Sequence, residues 1–235
     1  MIKSDIERAL PPIDTDMPSQ IETVTIALGW FWGPDSQFGV IPGVVRTRVG
    51  YTGGTKRYPT YTNLGDHSEA LQIDYDQDRI SYGSLLDCFW SSHDPTIKSW
   101  SRQYRAAIFY HDDYQKKLAL ETRSNLAATL TSEILTDITP STEFYLAEDY
   151  HQKHALQHSY EYLQEFKAMY SSFNDIISST AAARVNGYLG GYGTLKNLQA
   201  ELDSYGLSLE TNKHLFDFVR TSTRYQCKGS VTCSL

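Results

Sequence analysis

Hydrophobic and polar positions alternate along several short stretches of the first 150 residues, and each stretch ends at a turn signal. The run "ETVTIAL" (Glu22–Leu28) is rich in β-branched residues and stops at Gly29, which predicts a strand. "VVRTRVGYTGG" (Val44–Gly54) predicts a second strand entering a glycine turn, and "EALQIDYD" (Glu69–Asp76) a third. "YRAAIFYH" (Tyr104–His111) predicts a fourth, and "ILTDI" and "EFYLAE" two short ones. Between them the period changes. Pro34, Asp35 and Ser36 suit the first turn of a short helix running to about Ile41. "SYGSLLDCFWSSH" (Ser81–His93) predicts a helix with Ser81 as its N-cap, and "DYQKKLALETRSNLAATL" a long amphipathic one.

From Asp149 to about Ala183 the pattern is helical and polar. "RVNGYLGGYG" predicts a glycine-rich loop, and "LKNLQAELDSYG" and "NKHLFDFVRTSTRY" two more helices. Alternating strands and helices imply a mixed sheet covered by helices. The expected organisation is an extended leader over 1–20, one domain over 21–193, and a helical extension with a tail over 194–235. No internal repeat or low-complexity tract interrupts it.

Composition narrows the function. A net charge of −7 over 235 residues, with a pI near 5.5, argues against nucleic-acid binding, because a basic face is the usual footprint. No apolar run is long enough to span a membrane, and the charged, Pro-containing N-terminus lacks the apolar core of a secretory signal. These features lead to the expectation of a cytoplasmic protein with a small-molecule ligand, no nucleic-acid or membrane partner, and no cofactor. The three cysteines, Cys88, Cys227 and Cys233, do not form a disulfide framework by count. Cys88 falls on the apolar face of a helix and reads as core. Cys227 and Cys233 lie in the last nine residues, where two readings stand: a pair of thiols that bond to each other or to an outside thiol, or an idle solvated tail.

Eight ordered strings between Ile21 and Gly193 resemble the type A peptide methionine sulfoxide reductases. They are "GWFWG", "PGVVRTRVGYTGG", "PTY", "GDHSEA", "FWSSHDPT", "RQYRAAIF", "FYLAEDYHQ" and "NGYLGG". The resemblance implies an α+β fold, a two-layer α/β sandwich around a central mixed sheet, here with a C-terminal helical extension. It implies that Trp30 stands where the family carries its attacking thiol, and Leu189 where it carries a resolving thiol. Indole has no sulfur to oxidise, so neither thiol of that cycle is in its place.

The same resemblance places Phe31 and Trp32 at the methyl group of a methyl sulfoxide and Glu69, Tyr61 and Tyr104 around its oxygen. His67 supports the site, and Tyr188 belongs to its substrate-binding set. A carboxyl buried among aromatics has a raised pKa and can donate a proton. After His93-Asp94-Pro95-Thr96 the chain lacks the family's Gly-Asn-Asp element and puts Trp100 in its neighbourhood. His151, His154 and His158 recur on one helical face, a pattern that reads as a polar face and not as a metal site, since no carboxylate or cysteine is in register.

Missing thiols beside an intact acid and tyrosines lead to the expectation of an enzyme that has exchanged redox work for acid–base chemistry. Glu69 would be its general acid or base, with Tyr61 and Tyr104 as donors, in an isomerisation, ring opening or cyclisation. Three alternatives stay open. One is a binding module whose Trp30, Phe31 and Trp32 cage a methyl sulfoxide, a sulfonium or a quaternary ammonium group. Another is a peptide-methionine sulfoxide reductase working through Cys227 or Cys233. The last is a structural relic that uses the C-terminal helices as a partner surface.

Overall fold

A computed structural model describes residues 9–222. A six-stranded sheet organises the chain: β1 (Ile21–Leu28), β2 (Val44–Thr52), β3 (Ser68–Asp76), β4 (Ala106–Tyr110), β5 (Asp137–Pro140) and β6 (Tyr145–Leu146). Its order is β5-β4-β1-β3-β2-β6. Every pair is antiparallel except β4 with β5, so the sheet is mixed. The fold is therefore α+β, with an open sheet and a C-terminal helical region.

Among the described residues ten α-helices surround it. α1 (Pro12–Thr15) precedes the sheet, α2 (Trp32–Gly39) follows β1, α3 (Tyr82–Ser91) follows β3, and α4 (Asp113–Ala127) follows β4. After β6 come α5 (His154–Gln157), α6 (Tyr160–Met169), α7 (Phe173–Ile177), α8 (Thr180–Leu189), α9 (Leu195–Glu201) and α10 (Leu209–Thr221). Helix starts follow the polar side chains that can satisfy free N–H groups. Ser81 accepts from Ser84 N–H at the start of α3, Asp112 from Gln115 N–H at α4, and Ser179 from Ala182 N–H at α8.

Two large apolar clusters form, beside a small one of Ala27, Ala70, Ala107 and Phe109. The first lies between the sheet and helices α2 and α3, with Val24, Phe38, Val49, Ile73, Cys88, Phe89 and Ile108 among its members. The second joins Leu156, Phe166, Ile176, Val185, Leu198, Tyr205 and Leu215 of the helical region to Val40 behind α2. Cys88 is fully buried in the first, as its apolar helix face implied, but it is disulfide-bonded and not a plain core thiol.

The largest departure from the sequence pattern is α8. The string "RVNGYLGGYG", expected to be a glycine-rich loop, is helical up to Leu189, and every residue from Thr180 to Tyr188 is buried. Its Gly187 is a packing glycine and not a chain breaker. A β-carbon there would run into Val40 Cγ1 and sit 2.5 Å from Ser36 O. Gly39 does the same from the other side, 2.7 Å from Ala183 O. Small residues on both helices let α2 and α8 touch backbone to backbone. The expected extended leader also contains a helical turn. Asp14 in α1 accepts from Ser179 Oγ at 2.8 Å and Thr180 N–H at 2.6 Å, fastening the segment to the start of α8. Residues 1–8 of that leader lie outside the described residues, as do Cys227 and Cys233.

Candidate active site

Gly29 ends β1 with φ +74°, a left-handed conformation open to glycine, and turns the chain into α2. This turn presents Trp30, Phe31 and Trp32 in three different environments. Trp30 is 64% exposed and meets Tyr104 edge-on at 6.1 Å. Phe31 is buried against Tyr51 and His151. Trp32 is half-buried, with its indole stacked on His154 at 4.0 Å. The aromatic bulk thus divides between surface, core and wall, and position 30 faces outward.

No side chain of its own caps α2. Glu69 supplies the cap from the neighbouring strand β3: its Oε2 accepts from Phe31 N–H at 3.2 Å and its Oε1 from Gln103 Nε2 at 2.9 Å. Glu69 is 2% exposed. Two influences compete on its carboxyl. Burial penalises the anion, while the Gln103 and Phe31 donors favour it; burial wins and the pKa is raised. Gln103 Nε2 also donates to Tyr104 Oη at 3.1 Å, so one amide bridges acid and phenol. The phenol of Tyr104 is pushed up to about 12 by burial, by a hydrogen bond with Tyr61 and by the Glu69 carboxyl, which keeps it a donor at neutral pH.

Tyr61 is 37% exposed. Its backbone N–H donates to Glu148 Oε1 at 3.0 Å, and its ring lies 4.6 Å from that of His151. Glu148 Oε2 accepts from Tyr51 Oη at 2.6 Å. His67 is buried one step away. Its Nδ1 accepts from Gly54 N–H at 3.2 Å, and its Nε2 meets Lys56 O at 2.7 Å, which pins the glycine turn after β2. Trp100, 82% exposed, leans on Tyr104 at 4.9 Å, so it does stand beside the tyrosine.

The structure thus gathers Trp30, Phe31, Trp32, Tyr61, Glu69 and Tyr104 around one place, with His67 behind it. Tyr188 is placed elsewhere, at 0% exposure in the helical cluster with Leu198 and Tyr205. Gln103 and His151 also belong to the site; Gln103 did not stand out in the sequence, and His151, expected on a polar helical face with His154 and His158, is instead 2% exposed in a turn before α5. Gln103 carried a usable signal, since it directly precedes Tyr104 in "RQYRAAIF".

Beneath the site lies a buried ion pair. Lys153, in a left-handed conformation with φ 48°, sends its fully buried ammonium to Asp35 Oδ1 at 2.9 Å, Thr47 Oγ1 at 2.8 Å and Thr47 O at 2.5 Å. Asp35 also accepts from Thr47 Oγ1 at 2.5 Å and from Asn186 Nδ2 at 3.2 Å. Burial pulls the Lys153 pKa down, and Asp35 opposes that pull. The network ties α2, β2, α8 and the segment before α5 into one platform. Among the described residues no group of three or more His, Cys, Asp or Glu side chains could hold a metal ion, and no helix is long and apolar enough to cross a membrane.

The site is thus a buried carboxyl that caps a helix, is bridged to a phenol through Gln103 and is walled by aromatic rings. The family model for peptide methionine sulfoxide reductase matches residues 22–181, and that for the helical domain of selenoprotein methionine sulfoxide reductase A matches residues 174–214. The chain belongs to the peptide methionine sulfoxide reductase family. It is similar to a peptide methionine sulfoxide reductase of Drosophila melanogaster, 40% identical over 192 residues that span 79% of this chain and 75% of the relative. It is also similar to the enzyme of the same name from Methanococcoides burtonii, 44% identical over 57% of this chain and 95% of the relative. Among solved structures, methionine sulfoxide reductase A of Corynebacterium diphtheriae shares the fold with a TM-score of 0.54 and 26% identity, over 68% of this chain and 91% of that one.

These relatives overturn the expectation of non-redox acid–base chemistry. Proteins 40% and 44% identical to this chain are named reductases of methionine sulfoxide, not isomerases or cyclases. The chemical reason for the correction is that a buried carboxyl of raised pKa beside two phenols does not distinguish the two readings. Such a group delivers a proton to a sulfoxide oxygen as readily as to a carbon skeleton.

Proposed function

We propose that this protein binds the methyl sulfoxide of oxidised methionine in peptides and reduces it, with the thiols of Cys227 and Cys233 supplying the electrons. The observation that carries this reading is the Glu69 carboxyl. It is 2% exposed, raised in pKa by burial, and bridged through Gln103 to the Tyr104 hydroxyl. Cleaving an S–O bond requires a proton on the departing oxygen, and a carboxyl whose pKa burial has raised is a suitable donor. Phe31 and Trp32 supply apolar surface for the methyl group, while Tyr61 and Tyr104 supply hydroxyl donors for the oxygen.

The electrons must come from sulfur, and Trp30 has none. Cys88 is fully buried in the sheet-side core and disulfide-bonded, so the reaction is assigned to Cys227 and Cys233 in the chain after an external dithiol has reduced it. In the first step one thiolate attacks the sulfoxide sulfur. The oxygen takes the Glu69 proton and passes to that cysteine, giving a sulfenic acid and the methyl sulfide. The second thiol then displaces water from the sulfenic sulfur and a disulfide forms, which an external dithiol reduces. The reading is tested by incubating the full chain with N-acetyl-methionine sulfoxide N-methylamide and dithiothreitol. Sulfide formation that disappears in the C227S/C233S double variant supports it. No sulfide from the native chain, or undiminished turnover in the double variant, overturns it.

A further inference from the structure

A cleft of about 430 Å³ lies between the segment ahead of β1 and helices α6 and α7. Leu10, Asp14 and Met17 line it from that segment, Met169 and Asp175 from the helices, and Arg46 from β2. None of these residues belongs to the Glu69 site. The volume falls in the range of small-molecule pockets, about 300–1,000 Å³. Contacts of their own hold the walls. Tyr170 Oη donates to Asp14, and Asp14 accepts in turn from Ser179 and Thr180 at the start of α8. Thr180 Oγ1 donates to Val45 O at 2.6 Å, which sets α8 next to Arg46. Gly206, at φ +70°, packs against both Met169 and Pro11: a β-carbon there would sit 2.9 Å from Met169 Sδ and 3.2 Å from Pro11 Cα.

The hydrogen bonds of the lining residues show which polar groups are already engaged and which are left for a ligand. Arg46 gives its Nε to Asp74 Oδ2 at 2.6 Å, and its two terminal amino groups have no partner among the described residues. Asp74 does not depend on Arg46, because Arg48 holds it with Nη1 at 2.8 Å and Nη2 at 3.1 Å. Asp14 has donors on both oxygens. Asp175 accepts through Oδ2 alone, from Ser172 N–H at 2.9 Å and Ser172 Oγ at 2.8 Å, which leaves Oδ1 over. The cleft thus keeps a cationic pair of donors and an anionic acceptor, beside the apolar surface of Leu10, Met17 and Met169.

This combination selects its ligand by charge. A simple anion is drawn to Arg46 and repelled by Asp14 and Asp175, and a simple cation meets the opposite conflict. A zwitterion satisfies both. The paired terminal amino groups of an arginine suit a carboxylate, which accepts from both at once. Leu10, Met17 and Met169 are flexible side chains that mould to an unbranched apolar chain. We infer that the cleft binds a free α-amino acid with an unbranched apolar side chain, its carboxylate on Arg46, its ammonium on Asp175 Oδ1 and its side chain against Leu10, Met17 and Met169. Such a ligand bridges the segment ahead of β1, the sheet and α7, so it stabilises the fold. The inference goes beyond the reductase reading and does not rest on it.

The test is calorimetric titration of the full chain with three probes: L-norleucine, hexanoate, which lacks the ammonium, and pentylamine, which lacks the carboxylate. Native protein is expected to bind L-norleucine and to melt at a higher temperature in its presence. Hexanoate and pentylamine are each expected to bind about tenfold more weakly or worse. Arg46→Met, which leaves Asp74 to Arg48, and Asp175→Asn, which keeps the oxygen and removes the charge, are each expected to weaken L-norleucine about tenfold. Glu69→Gln is expected to bind it as native protein does. No binding of L-norleucine by native protein overturns the inference. So does equal binding of hexanoate or pentylamine, which reduces the cleft to a site for a single charge. Undiminished binding by both cleft variants, or its loss in Glu69→Gln, places the ligand elsewhere and also overturns it. The three probes on native protein decide the matter even where a variant fails to fold.

Discussion

Glu69 sits where two electrostatic rules disagree, and the disagreement sets its chemistry. The start of α2, with Phe31 N–H aimed at the carboxyl, favours an anion, and so does the Gln103 amide. Enclosure by the sheet and the aromatic rings favours the neutral acid and prevails. Replacing Glu69 with Gln should therefore preserve the two hydrogen bonds while removing the proton to be given. The expected outcome is a loss of at least 100-fold in sulfoxide turnover, the usual scale of a general acid, with peptide affinity changed by less than tenfold. Rate assays beside emission titrations check it. Trp30 is the complementary residue. It occupies the approach to α2 with its indole outward, so Trp30→Cys should fold and place a thiol where the helix terminus favours thiolate. Dithiothreitol-driven turnover of Trp30→Cys is expected to exceed that of the native chain at least tenfold. A rate no higher than native would mean that the site no longer positions the sulfoxide.

At the scale of elements, the contact between α2 and α8 holds the acid and the aromatic wall in place. Gly187 and Gly39 bring the two backbones together, and Asn186 of α8 reaches Asp35 of α2. Gly187→Ala forces a methyl against Val40 and Ser36 O. The expected destabilisation is about 1–3 kcal/mol, read as a lower urea midpoint with an unchanged slope. Lys153→Met should cost more, about 3–5 kcal/mol, because Asp35 would stay buried without its counter-charge. This packing explains what could be seen beforehand and what could not. The strands are legible because β-branched residues alternate and each run stops at a turn. Ser81 is legible as a cap because a hydroxyl three residues before a free N–H has few other uses. α8 is not legible, because Gly187, Gly190, Gly191 and Gly193 crowd a short string, and glycine count cannot tell a bend from a close approach. The motif resemblance carries Trp30, Phe31, Trp32, Glu69, Tyr61 and Tyr104 to one place. It also carries Tyr188, which the fold buries in the other cluster. Spacing groups His151 with His154 and His158 as a polar face, but its burial among aromatic rings exists only in three dimensions.

Across the whole molecule, the buried titratable groups make stability depend on pH in opposing ways. Burial lowers the pKa of His93 and His111, and also of His151 and His154. As pH falls below the ordinary imidazole value of 6.5, the unfolded chain takes up protons that the folded chain refuses, so stability declines. Glu69 has the other sign. Its raised pKa means that the unfolded chain releases a proton first as pH rises above the ordinary 4.5, and the folded state loses ground up to the raised value. The two windows overlap in mildly acidic solution, where several imidazoles act against a single carboxyl. The unfolding free energy read from urea titrations, and the midpoint with it, should therefore rise between about pH 5 and pH 7, the free energy by no more than about 1.4 kcal/mol per pH unit for each proton of difference. Glu69→Gln removes the opposing contribution, so its midpoint should climb more steeply than that of the native protein over the same interval. His93→Phe should do the reverse and flatten the climb, although it forfeits the contacts of its two nitrogens with Phe89 O at 3.0 Å and Thr136 Oγ1 at 2.9 Å. Parallel slopes for native protein and Glu69→Gln would show that the carboxyl is already ionised in the folded state, and with that the proton assigned to the sulfoxide oxygen would have no source.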